Sequence, residues 1–237
     1  VWTLGLCPTP AVSGLIKRFN AAGGIMVSAS HNPPEYNGIK IFDFDGLKLN
    51  STKQKKIGSN LNNQELKNIL IKHNNYGTSY NRNELLSFYR DELIESVSEK
   101  NLEDVNIVLD LCCGSATAFG EDVFKQIGAN LTIINGEANG DLINVNCGST
   151  DLGQLRQTVL ETNADMGFAF DGDSDRMLGV DGKGRVIDGD HVLYLWGEYL
   201  KAKDALPEKR LVATVMSNLG LEREWNAKGG ILERTAV

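Results

Sequence analysis

Met166-Gly167-Phe168-Ala169-Phe170-Asp171-Gly172-Asp173-Ser174-Asp175-Arg176 is the stretch whose reading decides this chain. Its first half is an apolar run of strand length. Its second half places three carboxylates within five residues and follows them with a guanidinium. Like charges so close repel: at ~5 Å and an effective dielectric of ~20, each pair costs about 3 kcal/mol. Such a cluster either splays into water or holds a divalent cation, and tethering to an apolar strand favours the cation. The donors are all oxygen, with no His or Cys nearby, which selects Mg²⁺, Mn²⁺ or Ca²⁺ over zinc. An EF-hand loop also opens D-x-D-x-D, but it needs Gly at its sixth position and Glu at its twelfth. Here those positions are Arg176 and Gly182. Arg176 serves no purpose in cation storage, whereas beside a metal its planar fork suits a phosphate.

Outward from this stretch, short apolar runs alternate with helical periods, which defines an α/β protein. Met177 to Val180 and Val186-Ile187 flank a Gly182-Lys183-Gly184 turn, and Leu152, Leu155, Val159 and Leu160 lie on one helix face. Further strands are expected at Ile25 to Ala29, Gly38 to Asp43, Val105 to Leu111, Leu131 to Ile134, Leu211 to Val215 and Ile231-Leu232. Helices are expected from Thr9 to about Phe19, with Thr9 as N-cap and Pro10 at the first helical position. Others are expected over 116–127, 192–200 and 218–227, and along Leu85, Phe88, Tyr89, Leu93 and Val97. Residues 51–80 are polar and rich in Asn and Lys, without a clear pattern, and the stretch near 72–82 reads as a domain boundary.

A second segment carries chemistry. Ser28-Ala29-Ser30-His31-Asn32-Pro33 leaves an apolar strand, and Pro33 and Pro34 stiffen the loop. Ser28 reads as a strand residue and Ser30 as the presented hydroxyl. A free serine is a poor nucleophile and needs a base or an electrophilic partner. No Gly-x-Ser-x-Gly elbow and no phosphate-binding G-x-x-x-x-G-K-[ST] loop is present, so neither an acyl hydrolase nor a P-loop nucleotidase fits. His31 either orients a phosphate or caps the loop. Lys40, on the next strand, either supplies a point charge or is an ordinary strand lysine. A presented serine with an acidic cation site is the equipment of metal-assisted phosphoryl transfer.

The 237 residues suit one or two domains with a sizeable core. A formal net charge of −7 offers no basic stripe for nucleic acid, and the basic run Lys53 to Lys56 reads as a solvated face. Cys7, Cys112, Cys113 and Cys147 have spacings that suit neither zinc nor a disulfide framework, and a reduced, cytoplasmic setting fits them. No apolar run reaches membrane-spanning length, and the N-terminus is no signal peptide. The chain starts at Val1 and stops just after a strand-like run, so both ends read as cut.

The serine segment, together with Asn37-Gly38-Ile39-Lys40, resembles the phosphoserine loop of the α-D-phosphohexomutase superfamily, and Asp171 to Arg176 resembles its metal loop. Cys7 to Val12, Asn144 to Thr150 and Glu233 to Val237 are similar to the branch that acts on glucosamine phosphates. The resemblance covers the chain except 51–80. It implies tandem phosphohexomutase-type α/β domains with mixed sheets between helices, divided at 1–78, 79–185 and 186–237. It implies an intramolecular phosphotransferase that interconverts hexosamine 6- and 1-phosphates. Ser30 would carry the phosphoryl group, and Asp171, Asp173 and Asp175 would hold Mg²⁺, with an oxygen of phosphorylated Ser30 completing the site. Lys40 and Arg176 would stabilise the phosphoryl group in flight, with His31 and Asn32 supporting the loop. A sugar 1,6-bisphosphate would be the phosphorylating activator, and a small phosphosugar the partner, with neither nucleic acid nor membrane. A phosphomannomutase or phosphoglucomutase, or a non-catalytic Mg²⁺- or phosphosugar-binding module, are the rival readings. Ser174 stands where the family has Gly or Ala, a change expected to be exposed and tolerated. Cys112-Cys113-Gly114-Ser115 departs from its small-residue turn, a difference expected to concern packing. The family has four domains, so the resemblance also implies a fragment, inactive alone, that lacks the sugar-reading loop and the phosphate-binding domain.

Overall fold

A computed structural model of the chain describes residues 1–61, 76–97 and 102–237. From the N-terminus, β1 (Trp2–Thr3), α1 (Thr9–Phe19), β2 (Gly24–Val27), β3 (Ile39–Phe42) and α2 (Ser51–Leu61) come first. After β4 (Tyr80–Asn81) and α3 (Leu86–Ser96) come β5 (Asn106–Asp110), α4 (Gly120–Gln126), β6 (Asn130–Ile134) and α5 (Gly153–Thr162). The remainder is β7 (Met166–Phe170), β8 (Met177–Asp181), β9 (Val186–Ile187), α6 (Gly189–Ala202), β10 (Arg210–Thr214), α7 (Leu219–Ala227) and β11 (Ile231–Thr235). This is the mixed α/β architecture expected.

The largest sheet has the order β6-β5-β7-β8-β9. β5 runs parallel to β6 and β7, while β8 returns antiparallel to β7. Ile107-Val108-Leu109 reads as an unbroken apolar run because both faces of β5 are covered. Val108 packs with Leu155, Val159, Ala169 and Val180 on the α5 side. Ile107 and Leu109 pack with Leu111, Ala116 and Ala129 on the other. Leu155 and Val159 are fully buried, each worth about 1.5–3 kcal/mol. Gly167 lets α5 lie this close, since a Cβ there would meet Leu155 Cδ1 at 2.7 Å and Val159 Cγ2 at 2.8 Å.

Because β5 and β7 are parallel, with Asp110 opposite Ala169, their C-terminal ends emerge at one edge. That edge is where open α/β sheets place their sites. Asp110 is fully buried there and braces the loops above it. Its carboxylate accepts from the Cys112 amide at 3.0 Å, the Asn135 side chain at 3.0 Å and the Gly148 amide at 2.8 Å. Burial pushes its pKa up, opposed by the Gly148 and Cys112 amides and by Asn135. Asp110→Asn would turn an NH₂ group toward at least one of these donors. A loss of about 1–3 kcal/mol is expected, measurable as a lower midpoint in chemical denaturation at constant m.

The first segment builds a second core. Ala11, Val12 and Ile16 of α1 bury with Cys7 and Phe42, and Leu86 and Tyr89 of α3 pack onto them. Burial pushes the Cys7 thiol up to about 11. The helix closes on Asn20 at φ 50°, a left-handed C-cap. Its start differs from expectation. Pro8 occupies the cap position and Thr9 is the first helical residue, its side chain being drawn to the acidic loop described below. Two other differences have simple causes. α2 forms without a buried residue, so no apolar stripe could announce it. In α3, Ile94 rather than Val97 makes the buried contact, and the helix stops at Ser96.

β4 pairs parallel with β1, Trp2 opposite Tyr80, which fastens the end of the expected boundary stretch to the start of the chain. Residues 72–75 of that stretch lie outside the described residues. β10 and β11 form a separate parallel pair, with Trp225 of α7 fully buried nearby.

Candidate phosphoryl-transfer and metal site

The serine loop spans the open end of the β2–β3 hairpin, in which Met26 pairs with Lys40. The Ser28 amide donates to the Gly38 carbonyl at 2.9 Å and closes the loop base. The strand ends at Val27, so Ser28 is not a strand residue. Its hydroxyl accepts from the Ser30 amide at 2.9 Å, an inner brace for the loop. Ser30 itself sits at φ 57°, a left-handed conformation that costs a non-glycine residue about 1–2 kcal/mol. Asn32 bonds its own loop: its amide and its side chain both donate to the Ala29 carbonyl, at 3.1 and 3.0 Å. His31 is exposed on the same loop.

The acidic loop folds back on itself directly after β7. The Asp171 amide donates to the Arg176 carbonyl, and one Asp171 carboxylate oxygen accepts from the amides of Asp175 and Arg176 at 3.2 and 3.1 Å. The other oxygen accepts from the Ser30 hydroxyl at 2.9 Å. Asp171 and Asp173 are 0% and 1% exposed. One ligating oxygen from each of Asp171, Asp173 and Asp175 lies within 4.8 Å of the others. Thus residues 141 positions apart in sequence meet through a single hydrogen bond.

Lys40 reaches the same cluster, bonding Asp173 Oδ2 and lying 3.0 Å from Asp175 Oδ2. Burial works against its charge, but the hydrogen bonds to Asp173 and Asp175 outweigh it and hold its pKa above the usual lysine value. Burial likewise pushes the Asp173 carboxyl up, and hydrogen bonds from Lys40, Thr9 and Ser30 outweigh it and leave the group below its usual value. For Asp171 burial dominates and the carboxyl is pushed up, against the Ser30 hydrogen bond and the Arg176 amide. Arg176 is the loosest of the expected residues. Its side chain is 58% exposed and lies 3.7 Å from Asp175 Oδ1.

Three contributors were not anticipated. Thr9 holds the acidic loop twice: its amide donates to the Asp173 carbonyl at 2.9 Å, and its hydroxyl donates to Asp173 Oδ2. Asn144 donates to the carbonyls of Ser30 and Asn32. Ser115 donates its amide to the Gly172 carbonyl at 2.9 Å, and its hydroxyl lies 2.9 Å from that of Ser174. Thr9 and Asn144 both fall in segments singled out for their resemblance, which was the available signal. Ser174 is half-buried rather than exposed. It sits at φ 55°, a conformation natural to glycine. The two departures from the family pattern therefore touch one another.

Glycines permit the loops to meet. A Cβ on Gly114 would lie 2.5 Å from the Gly172 carbonyl oxygen. One on Gly172 would lie 2.7 Å from the Ser30 carbonyl oxygen. A cavity of about 360 Å³ opens beside this junction, lined by Ser30, Pro33, Gly114, Asn139, Asn144 and Asp173. The donors fit a hard divalent cation. All are carboxylate oxygens, and Asp173 Oδ1 is buried with no hydrogen-bond partner among the described residues.

The site thus joins a hydroxyl to three carboxylates, two of them buried, beside a lysine and on tandem α/β units. Models of the phosphoglucomutase/phosphomannomutase α/β/α domains I, II and III match residues 1–68, 87–184 and 188–237. The chain belongs to this family, the α-D-phosphohexomutases. It is 60% identical, over all its residues, to a phosphoglucosamine mutase of Synechococcus sp. (strain WH7803) and covers 51% of that protein. It spans about half the length of the curated relatives it matches. Among solved structures, a phosphoglucomutase/phosphomannomutase family protein of Burkholderia thailandensis superposes with a TM-score of 0.76 at 22% identity. That match covers 100% of this chain and 52% of the other. An N-acetylphosphoglucosamine mutase of Aspergillus fumigatus, solved with GlcNAc-6P and magnesium, superposes with a TM-score of 0.57 at 18% identity, covering 96% and 59%.

Proposed function

We propose that the protein carrying this chain interconverts glucosamine 6-phosphate and glucosamine 1-phosphate, through a phosphoserine at Ser30 and a hexosamine 1,6-bisphosphate. The carrying observation is the 2.9 Å hydrogen bond from Ser30 Oγ to Asp171 within the three-carboxylate cluster. The identity to phosphoglucosamine mutase favours the amino sugar over mannose or glucose.

Asp171, Asp173 and Asp175 would hold Mg²⁺, the ion named with the Aspergillus enzyme. When bound, the ion would neutralise charge on the phosphoryl oxygens. The chain's residues do the rest. The sugar hydroxyl oxygen bonds to phosphorus as the P–Oγ bond of phosphoserine breaks, and the hydroxyl proton ends on Ser30 Oγ. The reverse transfer, from the other end of the bisphosphate, restores phosphoserine and releases the isomer. The transition state is loose and spreads charge over the equatorial oxygens. Lys40, already at the cluster, supplies a cation beside it, and Arg176 at the rim supplies another. The bracing of Ser30 by Ser28 holds the reacting oxygen in place, which is where most of the advantage of such reactions lies.

The domain divisions 1–78, 79–185 and 186–237 and a cytoplasmic setting belong to this reading. The buried, unpaired state of all four cysteine thiols supports the latter. The test is kcat/KM of the full-length protein on glucosamine, mannose and glucose phosphates, with a hexose 1,6-bisphosphate as activator. Preference for the glucosamine phosphates is expected, with turnover lost in EDTA and restored by Mg²⁺. A higher kcat/KM on mannose or glucose phosphate would assign the chain to that branch instead.

A further inference from the structure

We propose that Asn144 is a positioning residue that locks the Ser30 loop onto the acidic loop; the inference rests on the phosphoserine reading above. Ser30 is held in a left-handed conformation. Such strain persists only where the surroundings over-determine it. Within its own segment, Ser30 has one brace, the Ser28 hydroxyl. Its carbonyl is fixed from the other half of the chain. Asn144 Nδ2 donates to the Ser30 carbonyl at 2.8 Å and to the Asn32 carbonyl at 3.0 Å. The backbone of Gly172 closes the far side, within a Cβ's reach of both the Ser30 carbonyl and Asn144 Nδ2.

The amide's orientation is set by chemistry. Both carbonyls accept only, so the NH₂ end must face them. The opposite end, Oδ1, then accepts from the Cys112 thiol at 3.1 Å. Cys112 is fully buried, and its own backbone is tied to Asp110. A chain of contacts thus runs from the end of β5 through Cys112 and Asn144 to the peptide that carries the reacting hydroxyl. Among the described residues, the side-chain hydrogen bonds of Asn144 go to the Ser30 and Asn32 carbonyls and the Cys112 thiol, not to the carboxylates or the Ser30 hydroxyl. It fixes where that hydroxyl lies relative to Asp171.

The best variant is Asn144→Gly. Asn144 sits at φ 59°, so glycine removes the amide without adding strain. Asn144→Asp, nearly the same shape but without donors, is the second. In the full-length protein, both are expected to lower kcat and the rate of Ser30 phosphorylation by a hexose 1,6-bisphosphate about 10–100-fold. KM and the Mg²⁺ half-saturation should stay within about twofold, because the ligands are untouched. Amide exchange across residues 28–33 should accelerate roughly tenfold or more, with the core strands unchanged. A purely structural role would instead raise exchange throughout and lower Tm, and that outcome would overturn the proposal. So would wild-type labelling rates in both variants with unaltered exchange. If wild type itself accepts no phosphate at Ser30, the phosphoserine reading fails and takes this one with it; labelled wild type with unimpaired variants sinks only the role of Asn144.

Discussion

Ser30→Ala is expected to abolish phosphoenzyme formation and lower mutase turnover by about 10⁴-fold or more, the order seen when a covalent nucleophile is removed. The geometry makes the consequence specific. Ser30 Oγ is the hydroxyl that donates to Asp171 Oδ2. The other oxygen of that carboxylate is engaged by two backbone amides that the substitution leaves in place. The acidic loop should therefore keep its shape, and Mg²⁺ should still bind, more weakly, through the three aspartates. The Ser30 amide still has the Ser28 hydroxyl to donate to. Intact mass after incubation with a hexose 1,6-bisphosphate should show one added phosphoryl group on wild type and none on the variant, while calorimetry reports residual cation binding. An adduct on Ser30→Ala would mean that another hydroxyl is the acceptor, Ser28 being the nearest in sequence. Because alanine is strained at φ 57°, Ser30→Gly provides the control. It should be equally inactive yet at least as stable, which separates lost chemistry from a disturbed loop.

Locality decides which features could be read in advance. The strand Met166–Phe170 and its acidic loop announce themselves within eleven contiguous residues, so both the element and its carboxylate cluster were legible. The helix at 9–19 was legible in extent but not at its cap. Thr9 carries a capping residue's side chain, yet its hydroxyl goes to Asp173, 164 positions away. A long-range contact with a buried carboxylate outweighs a local cap, and no local pattern reports it. The same holds for Asn144, whose acceptors lie 114 and 112 positions off. The polar helix Ser51–Leu61 buries nothing, so periodicity was silent. Arg176 shows the converse: the sequence names it clearly, while its side chain stays largely in solvent. The hydroxyl, the lysine and the carboxylates that the structure brings together were more legible in the sequence than the groups that hold them in place.

That division predicts where a substitution bearing no functional group should do most harm. Gly172→Ala adds one methyl group between the two halves of the site. Its Cβ would lie 2.7 Å from the Ser30 carbonyl oxygen, 2.8 Å from Ile143 Cδ1 and 3.0 Å from Asn144 Nδ2. The isoleucine tip can swing away. The carbonyl is backbone and is already gripped by Asn144, so relief must come from moving the serine loop off the carboxylates. Gly172 cannot itself retreat, because Gly114 packs against it from below: a Cβ on Gly114 would already lie 2.9 Å from the Gly172 Cα. Overpacking of this kind costs about 1–3 kcal/mol. A shift of a few tenths of an ångström to one ångström at the reacting oxygen costs up to about 10²-fold in rate. The expected result is a kcat lowered about 10²-fold with a modest fall in Tm, since the strands beneath are untouched. Gly140→Ala, in the loop that leads to Asn144, is the matched control. A Cβ there meets nothing within 4 Å, and kinetics indistinguishable from wild type are expected. Wild-type kcat in Gly172→Ala would show that the Ser30 carbonyl is free to move without consequence. The close seating of the serine loop on the acidic loop would then not be what sets the rate.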